Sequence, residues 1–110
     1  MERRMSGNVL EQLSATIRER RSVPSDTSYT RQLLDSGVER CAKKFGEEAV
    51  EVIIAAMGQS DENLRNEAAD VLYHLLVLLE VRGVCFADVL CVLEMRTGRS
   101  GLEEKASRSS

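Results

Sequence analysis

The sequence predicts an all-α fold, a small antiparallel bundle of four to five helices completed by homodimerisation. Three observations lead there. Apolar residues recur at spacings of three and four along most of the chain, no stretch alternates with the period of a strand, and one proline interrupts 110 residues. Hydrophobic residues make up 43% and charged residues 30%, with very few aromatics, which suits a helical domain better than a β-sandwich or a disordered chain. A chain of this length supports one modest core.

Taken in order, Asn8 and Glu11 match a capping box. Leu10, Leu13 and Ile17 then follow at helical spacing until Val23-Pro24 stops the first helix. After a polar connector, Ser28 can cap a short helix through Leu33 and Leu34 to about Asp35, and Gly37 marks a break. From Val38 to Met57, Val38, Cys41, Ala42, Phe45, Ala49, Val52, Ile53 and Ala56 define a helix roughly 30 Å long at about 1.5 Å per residue. Gly46 weakens it by about 1 kcal/mol relative to alanine. Gly58 ends it, Ser60 or Asp61 caps the next, and a long apolar helix continues to about Arg82 before Gly83. A last helix spans Phe86 to about Arg96. The helical domain is therefore expected over residues 1–97, with a polar, mobile tail over 98–110. Leu72, Leu75, Leu76, Val77, Leu78 and Leu79 make the fourth helix apolar on more than one side. Either it lies at the centre of a monomer or, as we expect, a second copy helps to cover it.

A net charge of −3 argues against a general nucleic-acid binder, which presents a basic face to phosphates. Cys41, Cys85 and Cys91 are odd in number, lack a Cys-x-x-Cys pair and sit in or beside apolar stretches. That reads as reduced thiols packing as small hydrophobes. No segment has signal-peptide character and the leucine-rich run is too short to span a bilayer, so a cytoplasmic protein with no membrane partner is expected.

The strongest chemical signal is the pair of segments Glu47-Glu48-Ala49-Val50-Glu51 and Glu67-Ala68-Ala69-Asp70. Helical spacing puts each group of acids on one face, where like charges repel. Because the Gly58-Gln59-Ser60 connection is short, the two helices should pack antiparallel with their acid stripes at matching levels. Asp70, embedded in the most apolar run, should be hydrogen-bonded, paired or metal-bound, since burying a lone carboxylate is costly. A hard divalent cation such as Mg²⁺ takes oxygen ligands and bridges carboxylates to phosphates. The competing reading has all five acids in water, paired with Lys43, Lys44 or Arg65.

These residues carry a resemblance. Glu-Glu-x-x-Glu followed by Glu-x-x-Asp resembles the motif of the MazG-like all-α nucleoside triphosphate pyrophosphohydrolases. Several segments are similar to the phosphoribosyl-ATP pyrophosphohydrolase family within it: Ser28-Tyr29-Thr30, Lys44-x-Gly46-Glu47-Glu48-Ala49, Tyr73-His74-Leu75-Leu76, Arg82-Gly83 and Ser100-Gly101-Leu102-Glu103-Glu104-Lys105-Ala106. The resemblance implies Mg²⁺-dependent hydrolysis of phosphoribosyl-ATP to phosphoribosyl-AMP and pyrophosphate, the second step of histidine biosynthesis. It also implies a retained role for the tail.

On that basis Glu48, Glu51, Glu67 and Asp70 are the expected metal ligands. Glu47, or whichever acid stays outside the inner set, orients or deprotonates water. Lys44 and Lys43 can meet phosphates as point charges, although Lys44 can equally form an ordinary salt bridge. His74 shares a face with Asp70 and is expected to hydrogen-bond it, with phosphate contact or proton transfer as alternatives. Tyr29 either stacks on the adenine or contacts a ribose, or packs at a helix start. Two other functions compete: a house-cleaning MazG-like enzyme using the same acids on noncanonical nucleotides, and a non-catalytic helical dimer module.

Overall fold

Five helices follow one another, without a strand, over residues 2–98, the part of the chain that the computed structural model describes; its side chains are described from Val9 onward. They are α1 (Glu2–Ser22), α2 (Tyr29–Ser36), α3 (Val38–Gly58), α4 (Asp61–Arg82) and α5 (Phe86–Thr97). The expected polar tail lies outside the described residues but for its first one.

Local chemistry accounts for the boundaries. Ser28 and Ser60 both adopt extended backbone, and their hydroxyls accept from the N–H of Arg31 at 3.1 Å and of Asn63 at 3.2 Å. Each satisfies one of the donors that a helix start leaves unpaired. Gly37 at φ 96° and Gly83 at φ 75° occupy backbone regions that disfavour a side chain, which is why α2 and α4 stop there. The first helix departs from expectation. It begins at Glu2, so Asn8 stands inside α1 and does not cap it. Nothing upstream breaks a helix strongly, since one interior glycine costs only about 1 kcal/mol.

The core gathers Ile17 of α1, Leu33 and Leu34 of α2, Cys41 of α3, Leu76 and Val77 of α4, and Phe86 of α5. All of α4's buried residues therefore lie in its second half. Its first half runs beside α3, and these two helices form the most extensive pairing in the molecule. Of the three cysteines only Cys41 packs in the core, its thiol donating to the Leu33 carbonyl at 3.1 Å. Cys85 and Cys91 are exposed, contrary to the sequence expectation: Cys85 lies in the turn before α5, and Cys91 is on α5, whose one buried residue is Phe86.

Polar contacts fix the segment that leads into α2. Arg31 donates to the carbonyls of Arg20, at 3.2 Å, and Val23, and pairs with Asp35 at 3.1 Å. Asp26 accepts from the Ser28 N–H at 2.8 Å and from Arg20 at 3.2 Å. The Ser28 hydroxyl and N–H, with Arg20 beyond them, hold the Asp26 carboxyl below its usual pKa. The connector is thus tied at both ends, which sets where α2 begins.

The uncovered apolar surface is not where the sequence suggested. Leu75, Leu78 and Leu79 of α4 are half-buried within the chain. On α3, by contrast, Val50, Ile53, Ile54 and Met57 form a stripe at helical spacing, and Met57 is 82% exposed. Leu72 of α4 is exposed as well. No described helix is long and apolar enough to cross a membrane.

Candidate metal centre

The turn between α3 and α4 places Glu48 and Asp70 at near-equal distances from the reversal, one on each helix. Glu67 lies one turn before Asp70 on the same face. In consequence one carboxylate oxygen from each of Glu48, Glu67 and Asp70 lies within 4.8 Å of the other two. None of the three is paired with a cation among the described residues. A set of three oxygen donors converging in this way suits a hard divalent ion, and no described Lys or Arg pairs with them to offset their charge.

The electrostatics agree with the geometry. Partial burial pushes the Glu67 carboxyl above its usual pKa, and the neighbouring charges of Asp70, Glu51 and Glu48 push it further. Glu67 is half-buried whereas Asp70 is exposed. The desolvation that the sequence suggested for Asp70 therefore falls on Glu67. Position in an apolar run did not translate into burial, because Asp70 projects from α4 toward the acidic groove and not into the core.

The remaining candidates are distributed around this triad. Glu51 is exposed and outside the mutually close set, yet near enough to act on Glu67. Glu47 is exposed and pairs with Lys44 at 3.4 Å, so the salt-bridge alternative for Lys44 is the one realised. Lys43 points elsewhere, lining an open depression with Ser36, Glu39, Arg40 and Ala42. Packing does not require a glycine at Gly46, where an added Cβ would meet nothing within 4 Å.

His74 differs from expectation. It makes no hydrogen bond to Asp70 among the described residues and is instead 6% exposed, with its ring edge-on to Tyr73 at 5.0 Å and to Tyr29 at 6.4 Å. Burial holds the imidazole below its usual pKa against the opposing pull of Glu48, Asp70 and Glu47, so it is largely neutral at pH 7. Those charges lie close enough to act on it. Tyr29, 52% exposed, stands on its far side at the start of α2. Sequence reasoning missed one partnership here: the Tyr73 hydroxyl is bonded to that of Thr30. The signal was faint, amounting to a threonine inside a helix of apolar spacing.

An all-helical bundle that brings carboxylates from two antiparallel helices to one point has an arrangement that helical proteins with a divalent-cation site also use. Comparison makes the assignment specific. The family model described as Phosphoribosyl-ATP pyrophosphohydrolase matches residues 10–97. A protein of Cereibacter sphaeroides (strain KD131) named phosphoribosyl-ATP pyrophosphatase is 55% identical over 100 residues, covering 91% of this chain and 97% of its own length. The phosphoribosyl-ATP pyrophosphatase of Dinoroseobacter shibae is 55% identical over 101 residues, 92% of this chain and 99% of that one. In Rhodopseudomonas palustris, phosphoribosyl-ATP pyrophosphatase 1 is 53% identical over 104 residues, 94% of this chain and 97% of that one. The chain belongs to the phosphoribosyl-ATP pyrophosphohydrolase family, a family of hydrolases.

Proposed function

We propose that this chain hydrolyses phosphoribosyl-ATP to phosphoribosyl-AMP and pyrophosphate, the second step of histidine biosynthesis, with Mg²⁺ as cofactor. Supporting this above all is the convergence of Glu48, Glu67 and Asp70 within 4.8 Å in a chain of this family. Those three residues, with Glu51 one turn from Glu48, would hold the ion. Bound there, Mg²⁺ supplies positive charge that offsets the charge developing on phosphoanhydride oxygens.

The chain's own residues do the rest. Glu47, exposed beside the triad, orients a water and accepts its proton as the water oxygen bonds to phosphorus and the bridging P–O bond breaks. Lys44 exchanges Glu47 for a substrate phosphate, and Lys43, lining a separate depression, adds positive charge only at longer range. Neutral His74 donates a hydrogen bond to a phosphate or ribosyl oxygen. Tyr29 packs against the adenine or ribose. Positioning supplies most of the rate enhancement in such a site.

The active form is a homodimer in which the Val50–Ile53–Ile54–Met57 stripe of α3 is covered by a second copy. A helix face this apolar is otherwise left against water. The protein works in the cytoplasm on a soluble nucleotide, with no nucleic-acid or membrane partner.

Substrate comparison tests the reading. With Mg²⁺ present, pyrophosphate release from phosphoribosyl-ATP should exceed that from dUTP, dCTP or ITP by about 100-fold or more in kcat/KM, since hydrogen bonds to ribosyl hydroxyls discriminate strongly. A preference for any of the three plain triphosphates would point to a house-cleaning enzyme. No turnover and no nucleotide binding by titration calorimetry would point to a helical scaffold.

A further inference from the structure

We propose that the depression lined by Arg40 and Lys43, where α2 turns into α3, is a phosphate-monoester subsite, and that it receives the phosphate of the phosphoribosyl group while the polyphosphate end lies at the metal centre. This inference rests on the phosphoribosyl-ATP reading above and adds Arg40, which that reading leaves without a task.

Two cations share this hollow without a counter-ion. Arg40 and Lys43 are both exposed, and neither is hydrogen-bonded or ion-paired among the described residues, although Glu39 lines the same depression. Lys44, one residue on, is by contrast paired with Glu47. The Ser36 hydroxyl at the edge already donates to the Leu33 carbonyl at 2.6 Å, so the side-chain donors on offer are a guanidinium fork and an ammonium. That combination suits a dianionic phosphate monoester, which takes the fork in two parallel bonds and the ammonium as a point charge. The start of α3, which has no side-chain cap, adds the positive end of the helix dipole.

Size and placement fit the same occupant. The depression holds about 680 Å³, within the range of small-molecule sites. Arg40 stands one turn before Lys44 on the face of α3 that also carries Glu47, Glu48 and Glu51. At a rise of about 1.5 Å per residue, Lys43 and Arg40 lie roughly 8–12 Å along the helix from Glu48. One side of α3 is therefore divided into an end that attracts anions and an end that attracts cations. A ligand spanning both carries phosphate at each end with a rigid spacer between. Phosphoribosyl-ATP has this form, since its triphosphate and its phosphoribosyl monoester stand on opposite sides of a purine. The phosphates at the metal centre feel Lys43 only at a distance, whereas the monoester meets it directly.

Ribose 5-phosphate is the probe, with ribose as its uncharged control. Added to the metal-free full chain, ribose 5-phosphate should shift the backbone amide NMR signals around Arg40 and Lys43 with saturation, and ribose should not. Arg40→Gln and Lys43→Gln should each weaken that binding about tenfold, the effect of losing one charge-assisted hydrogen bond to phosphate. Glu39→Gln, which removes the opposing charge from the hollow, should tighten it. In the Mg²⁺-dependent assay ribose 5-phosphate should compete with phosphoribosyl-ATP, and Arg40→Gln should raise KM about tenfold with kcat within about twofold. No saturable shift, shifts centred away from Arg40 and Lys43, or binding indifferent to all three substitutions would overturn the subsite. Saturable binding that does not compete, with KM unchanged in Arg40→Gln, would make the hollow a site for free phosphate compounds and overturn its assignment to the substrate. Wild-type protein that binds ribose 5-phosphate in the hollow yet leaves phosphoribosyl-ATP intact would overturn the substrate reading while the anion subsite stands.

Discussion

Glu67→Gln and Asp70→Asn should each lower turnover of phosphoribosyl-ATP by about 10²–10³-fold at saturating Mg²⁺, the scale seen when one preorganised charge-stabilising group is lost. The physical reason is specific to the triad. Its three oxygens converge within 4.8 Å, and an amide in place of one carboxylate keeps the shape but removes a negative ligand. Folding should not suffer. Partial burial and then the like charges around Glu67 oppose its ionisation, so Glu67→Gln relieves both, and the metal-free variant should melt at or above the wild-type temperature with unchanged helical circular dichroism. This combination separates a site from a structural acid, because a structural acid lost from a packed surface lowers stability and leaves chemistry alone. Either variant retaining turnover within a fewfold of wild type would remove the triad from the mechanism.

Ile53→Asp should convert the proposed homodimer to single chains. Ile53 is 57% exposed at the middle of an apolar stripe whose other members, Val50, Ile54 and Met57, are also open to water. Apolar area removed from water contributes roughly 25 cal/mol per Å², so a stripe of four large side chains met by its own copy can hold a dimer together. A carboxylate placed at its centre must be desolvated without a partner, at a cost of several kcal/mol. Light scattering coupled to size exclusion should give twice the 12.2 kDa chain mass for the wild type and the single-chain mass for the variant. Identical masses for the two proteins would leave the stripe without its proposed partner.

Much of this architecture was legible from residues alone. Glycines at positive φ and serine caps act locally, so the limits of α2, α3 and α4 followed from Ser28, Gly37, Ser60 and Gly83. The start of α1 did not, because a capping pattern at Asn8 cannot announce a helix that has already begun. Pairing of the two acidic stripes was readable from the short turn at Gly58, yet the turn did not specify which acids meet. Rotation of α3 about its axis brings Glu48 to Glu67 and Asp70 and leaves Glu51 at the margin, and rotation depends on packing far from the acids. Burial was the least legible property. Asp70 looked buried from its neighbours and is exposed, whereas His74, four residues on, turns its ring between two tyrosines. Periodicity identifies faces but does not say which face a neighbouring helix will cover. For the same reason the apolar excess expected on α4 emerged on α3.

Pyrophosphate release from phosphoribosyl-ATP, followed with Mg²⁺ and then with excess chelator, tests the central claim most directly. Release should be rapid with the metal, fall to background on chelation and return when Mg²⁺ is restored, with the helical signal constant throughout. Undiminished release in chelator would contradict a cation held between α3 and α4.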